Sequence, residues 1–273
     1  MNKEDYLISK LSSKYIGDDA AVVEDKLYSM DAFFEDVHFK REWMSMRQIA
    51  RKAMLVNLSD AVAMNADPKY ALVTLSLPKE ISTENIDELL LALEQTGREF
   101  GCEIIGGDTI AGDKLHLSIT IVSESKNPLR RNTIKEGDFL AYTGVLGESK
   151  RDLERLMRGE SIASTSRFYE PQLRAEFIKE ARTYLNSGMD ISDGLFCDTN
   201  KLLATQNFSM NLLEEIPSEI GTSGEEYEML VSFSSEHYDK VKEIAEQTAV
   251  PLSIFAKVVK GKGVLFACKN HHF

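Results

Sequence analysis

Positive charge is scarce in this sequence. Lys and Arg total 32 against 44 Asp and Glu, a formal net charge of −12. Broad nucleic-acid binding draws its affinity from basic side chains on phosphates, so no nucleic-acid partner is expected. Cysteine is scarce as well. Cys102, Cys197 and Cys268 lie far apart and make no CxxC pair, so no disulfide framework is readable. A reduced, cytoplasmic setting is the expectation. No apolar run approaches the roughly 18 residues of a membrane span. The opening MNKEDYLISKLSSKY is amphipathic without an apolar core segment and does not read as a secretory leader. Familiar catalytic signatures are absent too: GxxxxGK[ST], GxGxxG opening a helix, HRD, DFG, HExxH and GxSxG.

What remains is ample for a packed core. The chain has 273 residues, of which 43% are hydrophobic, enough for one or two domains. Residues 3–13 read as a short helix, and 20–24 and 27–31 as strands. Apolar residues at helical spacing mark a helix over 47–66, and Ser82 or Thr83 caps another over 83–100. Strands are expected at 70–77, 102–105 and 115–122. The polar stretch 126–137 marks a boundary, giving domains 1–130 and 131–273. Beyond it, strands are expected at 139–142, 189–191, 207–213, 251–258 and 264–268. Helices are expected at 149–158, 171–185 with Pro171 in first position, 195–205 and 235–247. This alternation predicts a layered α/β or α+β fold in two domains.

Aspartate recurs at strand ends and in turns: Gly17-Asp18-Asp19, Ser29-Met30-Asp31, Asn57-Leu58-Ser59-Asp60, Gly106-Gly107-Asp108-Thr109 and Asp190-Ile191-Ser192-Asp193-Gly194. Magnesium takes hard oxygen ligands and is held by a few carboxylates plus substrate phosphates. Several such turns converging would hold more than one ion against a polyphosphate. Singly, each has an ordinary reading as turn or cap chemistry. Asp60 differs, because it falls in a helical run among Leu58, Ala61 and Val62. Its carboxylate is either buried against a cation or set on a solvated stripe. Gly106-Gly107 either lets backbone N–H groups approach a phosphate or simply bends a strand. The net acidity fits cation loading and fits plain solubility equally.

Read in order, these segments resemble the thiamine-monophosphate kinase family, which groups with aminoimidazole ribonucleotide and selenophosphate synthetases. The resemblance covers about residues 15–230. It includes Ile16-Gly17-Asp18-Asp19-Ala20, Asp31 to Phe39, Ala53 to Asp60, Ile105 to Thr109, Arg131, Asp190 to Gly194 and Gly224 to Glu228. It implies ATP-dependent phosphorylation of thiamine monophosphate to thiamine diphosphate, without a phosphoenzyme. It also implies a ferredoxin-like N-terminal α/β domain that dimerises and a C-terminal α/β domain. By resemblance, Asp19, Ser29, Met30 through its backbone, Asp31, Asp60, Asp108, Asp190 and Asp193 hold several magnesium ions. Gly107, Asp108, Arg131 and Ser192 contact ATP, with Arg131 stabilising charge and no residue acting as acid or base. His38 and Glu225 contact thiamine monophosphate. The chain departs from the family pattern at Met30 (threonine), Glu226 (aspartate), Asn65 (glycine) and Asn270 (an aromatic residue). Two alternatives stand beside this reading: another enzyme of the superfamily, and a non-catalytic nucleotide-binding homologue. A selenophosphate synthetase would need an N-terminal cysteine, and none precedes Cys102.

Overall fold

Residues 3–261 and 263–268 are described by a computed structural model. Asn270 and the closing His271-His272-Phe273 lie outside them. The first half runs α1 (Lys3–Ser9), β1 (Ala21–Val23), β2 (Lys26–Phe34), α2 (Met46–Ala63), β3 (Asp67–Pro78), α3 (Thr83–Glu99), β4 (Glu103–Gly112) and β5 (His116–Glu124). Its strands form one sheet in the order β1-β2-β5-β3-β4. Side chains alternate across it, as strand geometry requires. Leu27, Phe33, Ala71, Val73, Ile119 and Ile121 pack into a core with Met54 and Leu58 of α2 and Leu89 and Leu93 of α3. Tyr28, Met30, Tyr70 and Leu72 occupy the other face and are exposed.

α2 opens on a capping box. Ser45 Oγ accepts from the Gln48 backbone N–H at 3.2 Å, and the Ser45 N–H donates to Gln48 Oε1 at 3.0 Å. Nearly all of its side chains are buried, so it has no wet stripe. Its last turn reaches the second half, where Ala63 joins a different core from Ala61.

The second half runs β6 (Phe139–Thr143), α4 (Glu148–Met157), α5 (Ala175–Ala181), β7 (Ser187–Asp190), α6 (Leu195–Ala204), β8 (Ser209–Leu212), α7 (Ser218–Gly221), β9 (Met229–Phe233), α8 (Tyr238–Gln247) and β10 (Leu252–Val259). The sheet order is β7-β9-β6-β10-β8, with every neighbouring pair antiparallel. Both faces are covered. Val231 and Phe233 pack with Phe177 of α5 and Val241 of α8, while Leu230 packs with Leu202 of α6. The whole is a mixed α/β fold with two sheets.

Four expectations need correction. β9 was not anticipated: all five of its residues are buried, so no period-two pattern marks it. The helix expected over 171–185 is α-helical only at Ala175–Ala181, and Pro171 lies outside it. There Arg174 is drawn to Glu228, its Nε and guanidinium NH2 donating at 2.7 and 2.5 Å, and it sits off helical geometry at φ −97°, ψ 43°. Residues 264–268 make one bridge, Val264 to Met210, rather than a strand. Phe266 turns inward instead and stacks on Phe196 at 4.0 Å. Finally, β4 does not stop before Gly106 but continues to Gly112.

Candidate active site

Three aspartates from distant segments converge. Asp19 lies just before β1, Asp60 in the last turn of α2 and Asp190 at the end of β7. One carboxylate oxygen of each lies within 4.8 Å of the others. The register positions them. Asn57 Oδ1 accepts the Asp31 N–H at 2.9 Å, tying β2 to α2. Two residues later Ser59 Oγ donates to Asp190 Oδ2 at 2.6 Å, tying α2 to β7. Asp31 joins electrostatically, since its charge disfavours ionisation of Asp60.

The cluster is rich in negative charge and withdrawn from solvent, Asp190 buried and Asp19 and Asp60 partly so. Burial is the main cause that raises Asp60 well above the usual carboxylate range, with Asp31, Asp190 and Asp19 adding repulsion. Burial and then Asp19 push Asp190 up to about 8, against the Ser59 hydrogen bond. Asp19 is raised by burial too, although Arg131 opposes this. The partner cation is Arg131, whose guanidinium pairs with Asp19. Burial disfavours its charge, but Asp19, Asp190 and Asp198 outweigh that and raise its pKa. Its backbone N–H donates to Asp18 Oδ1 at 2.8 Å, fixing the loop. Asp19 Oδ2 is buried without a hydrogen-bond partner. Buried carboxylates that resist ionisation, with an orphaned oxygen among them, suit a hard divalent cation.

Beside the cluster is a cavity of about 600 Å³, lined by His38, Trp43, Lys150, Ser192, Asp193 and Glu225 among others. His38 Nδ1 accepts the Phe34 N–H at 2.9 Å, which assigns the proton to Nε2. Glu225 sits at φ 54°, held by its N–H to Ser192 O at 2.8 Å. Lys52 of α2, 0% exposed, reaches Glu225 Oε2 at 3.0 Å. Its ammonium also lies 4.0 Å from the Phe168 ring centroid. Asp193 pairs with Lys201, and its N–H donates to Asp198 Oδ2 at 3.0 Å. A larger cleft of about 940 Å³ contains none of the expected site residues.

Thus Asp19, Asp31, Asp60, Asp190 and Arg131 come together, and His38, Ser192, Asp193 and Glu225 line the adjoining cavity. Ser29 is buried on β2. The Met30 side chain lies on the open face, 65% exposed, away from the cluster. Asp108 pairs across the sheet with Thr74, Ser118 and Ala32, while Asp31 aligns with Ile119, Val73 and Gly107. By this register Asp108 falls on the sheet face opposite Asp31. The glycine at 107 is a packing requirement, since a Cβ there would lie 1.7 Å from Val73 O. Sequence reasoning missed Lys52, Ser59 and Asp198. A lone lysine inside the apolar run of α2 was the available signal for Lys52.

Comparison with known proteins places this geometry. Residues 17–124 match the family described as AIR synthase related protein, N-terminal domain. A thiamine-monophosphate kinase of Leptospira interrogans is 31% identical over 228 residues, 76% of this chain and 74% of the relative. The chain belongs to the thiamine-monophosphate kinase family. The Aquifex aeolicus thiamine-monophosphate kinase is 28% identical over 95% of this chain and 91% of its own. The solved structure of AaThiL complexed with AMPPCP and TMP superposes with a TM-score of 0.85 at 26% identity, covering 96% of this chain and 91% of that one. Two departures from the family pattern have local reasons. Asn65, in place of glycine, sits at φ 51°, where asparagine is tolerated. Glu226 reaches the start of α4, accepting the Gly147 N–H at 2.7 Å and the Ser223 hydroxyl at 2.5 Å.

Proposed function

We propose that the protein transfers the γ-phosphoryl group of ATP to the phosphate of thiamine monophosphate, giving thiamine diphosphate and ADP. One observation carries the reading: in a member of this family, the desolvated cluster of Asp19, Asp60 and Asp190 adjoins the cavity lined by His38 and Glu225. Asp19, Asp31, Asp60 and Asp190 would hold magnesium ions, with Ser29, the Met30 carbonyl and Asp193 at the margins. Bound magnesium supplies the positive charge that two approaching phosphates require. Arg131 stays protonated and offers a planar fork of donors to a phosphate oxygen. Ser192 joins it on the nucleotide. The protonated Nε2 of His38 and the carboxylate of Glu225 orient the acceptor. No side chain is assigned a proton-transfer role, because a phosphate oxygen is already a nucleophile.

The chain is read as domains 1–130 and 131–273, working in the cytoplasm as a homodimer. The open face of the first sheet, with Tyr28, Met30, Tyr70 and Leu72 exposed, is the surface that a second copy would cover. Gly107 and Asp108 lie on β4 of this sheet and in this reading serve the nucleotide, Asp108 across the dimer seam. The test is an ADP-release assay with ATP, magnesium and either thiamine monophosphate or thiamine. Turnover with the monophosphate alone is expected. Turnover with thiamine alone, or with neither, overturns the assignment.

A further inference from the structure

The chain has a single tryptophan, Trp43. It lies in the turn between His38 and the cap of α2, and it packs against the first core, which limits its freedom. Its remaining surface lines the cavity that contains His38 and Glu225. Phe39 lines the same cavity but is buried to 1% exposure and cannot present a ring face. Leu153 and Met157 of α4 line it as well, and Val37 and Met157, which also line it, are each 70% exposed. Apolar side chains left so open around a cavity with one aromatic wall suit a flat, partly apolar ligand. The Lys40 ammonium already rests 4.9 Å from the Trp43 ring centroid, so this ring accepts a cation on its face.

The acceptor read for this cavity has those properties. Thiamine monophosphate joins a flat aminopyrimidine to a permanently cationic thiazolium ring. We infer that Trp43 is a specificity-determining residue whose indole face holds a heteroaromatic ring of the acceptor, with Lys40 giving way to it. The inference rests on the reading of this cavity as the acceptor site.

Because Trp43 is the sole tryptophan, its emission reports the site directly. Thiamine monophosphate added without ATP should quench it, whereas inorganic phosphate should not. Trp43→Ala should raise KM for thiamine monophosphate about tenfold, with kcat and the KM for ATP nearly unchanged. Trp43→Phe, which keeps a ring and the core contact, should stay within about threefold of wild type. No quenching at saturating thiamine monophosphate, or an unchanged KM in Trp43→Ala, overturns the inference. A fall in kcat with KM unmoved would mark Trp43 as merely structural and overturn it too. If the wild type turns over the monophosphate while Trp43→Ala matches it, only this inference fails. If the wild type releases no ADP with it, the functional reading fails first and takes the inference with it.

Discussion

Asp60 concentrates the chemistry of the site in one side chain. It is a carboxylate in the last turn of a buried helix, repelled by Asp31, Asp190 and Asp19. In the proposed site, Asp60→Asn would remove a metal ligand and that repulsion together. Turnover should fall about a hundredfold or more, with a melting temperature equal to or above wild type. Activity within a few-fold of wild type at saturating magnesium would show that Asp60 holds no metal. A second expectation concerns protons. Burial raises Asp190 to about 8 and Asp198 to about 7, against roughly 3.9 in an unfolded chain. Between those values the folded state binds protons that the unfolded state has released, so stability must fall as pH rises. Metal-free protein should therefore melt lower at about pH 9 than at about pH 6, and magnesium should close most of the gap. A flat profile under chelator would contradict the raised values. Residues of this kind are half legible: Asp19, Asp60 and Asp190 stand out as motifs, but their shared location follows from hydrogen bonds such as Ser59 to Asp190 that no spacing reveals.

Elements were legible wherever one face is wet. α3 shows its apolar stripe and its Ser82 cap, and β5 its strict alternation, so both could be placed from pattern alone. β9 could not, because burial on both faces erases the alternation. The helix at Ala175–Ala181 was overextended because the pull of Glu228 on Arg174 is a long-range effect. β4 is instructive at this scale. Its double glycine was open to a phosphate role or a bend, and neither reading included the closeness of β3. Gly107→Ala should destabilise the fold by about 1–3 kcal/mol whether or not ATP is present, because the new methyl meets the Val73 carbonyl. Urea melts with and without nucleotide check this. An unchanged midpoint would leave Gly107 free for a purely ligand-facing role.

At the scale of the molecule, the proposed dimer makes a sharp forecast. Asp108 falls on the sheet face opposite Asp31, so in that dimer Asp108→Ala and Asp60→Asn would damage different halves of a shared site. Each variant alone should be inactive. Mixed after reversible dissociation, they should recover about a quarter of wild-type turnover, since half the dimers are mixed and each has one intact site. No recovery in verified mixed dimers would confine Asp108 to its own protomer or to no role.

The passage of α2 through both cores has a mechanical consequence. Ala61 is anchored in one core and Ala63 in the other, with Asp60 between them. A hinge between the two sheets would have to break this rod or pull one end from its packing. The jaws of the molecule are riveted by the same turn that carries Asp60, a carboxyl group that resists ionisation. Widening of the cavity is then expected from the short segments around it, not from the sheets swinging apart.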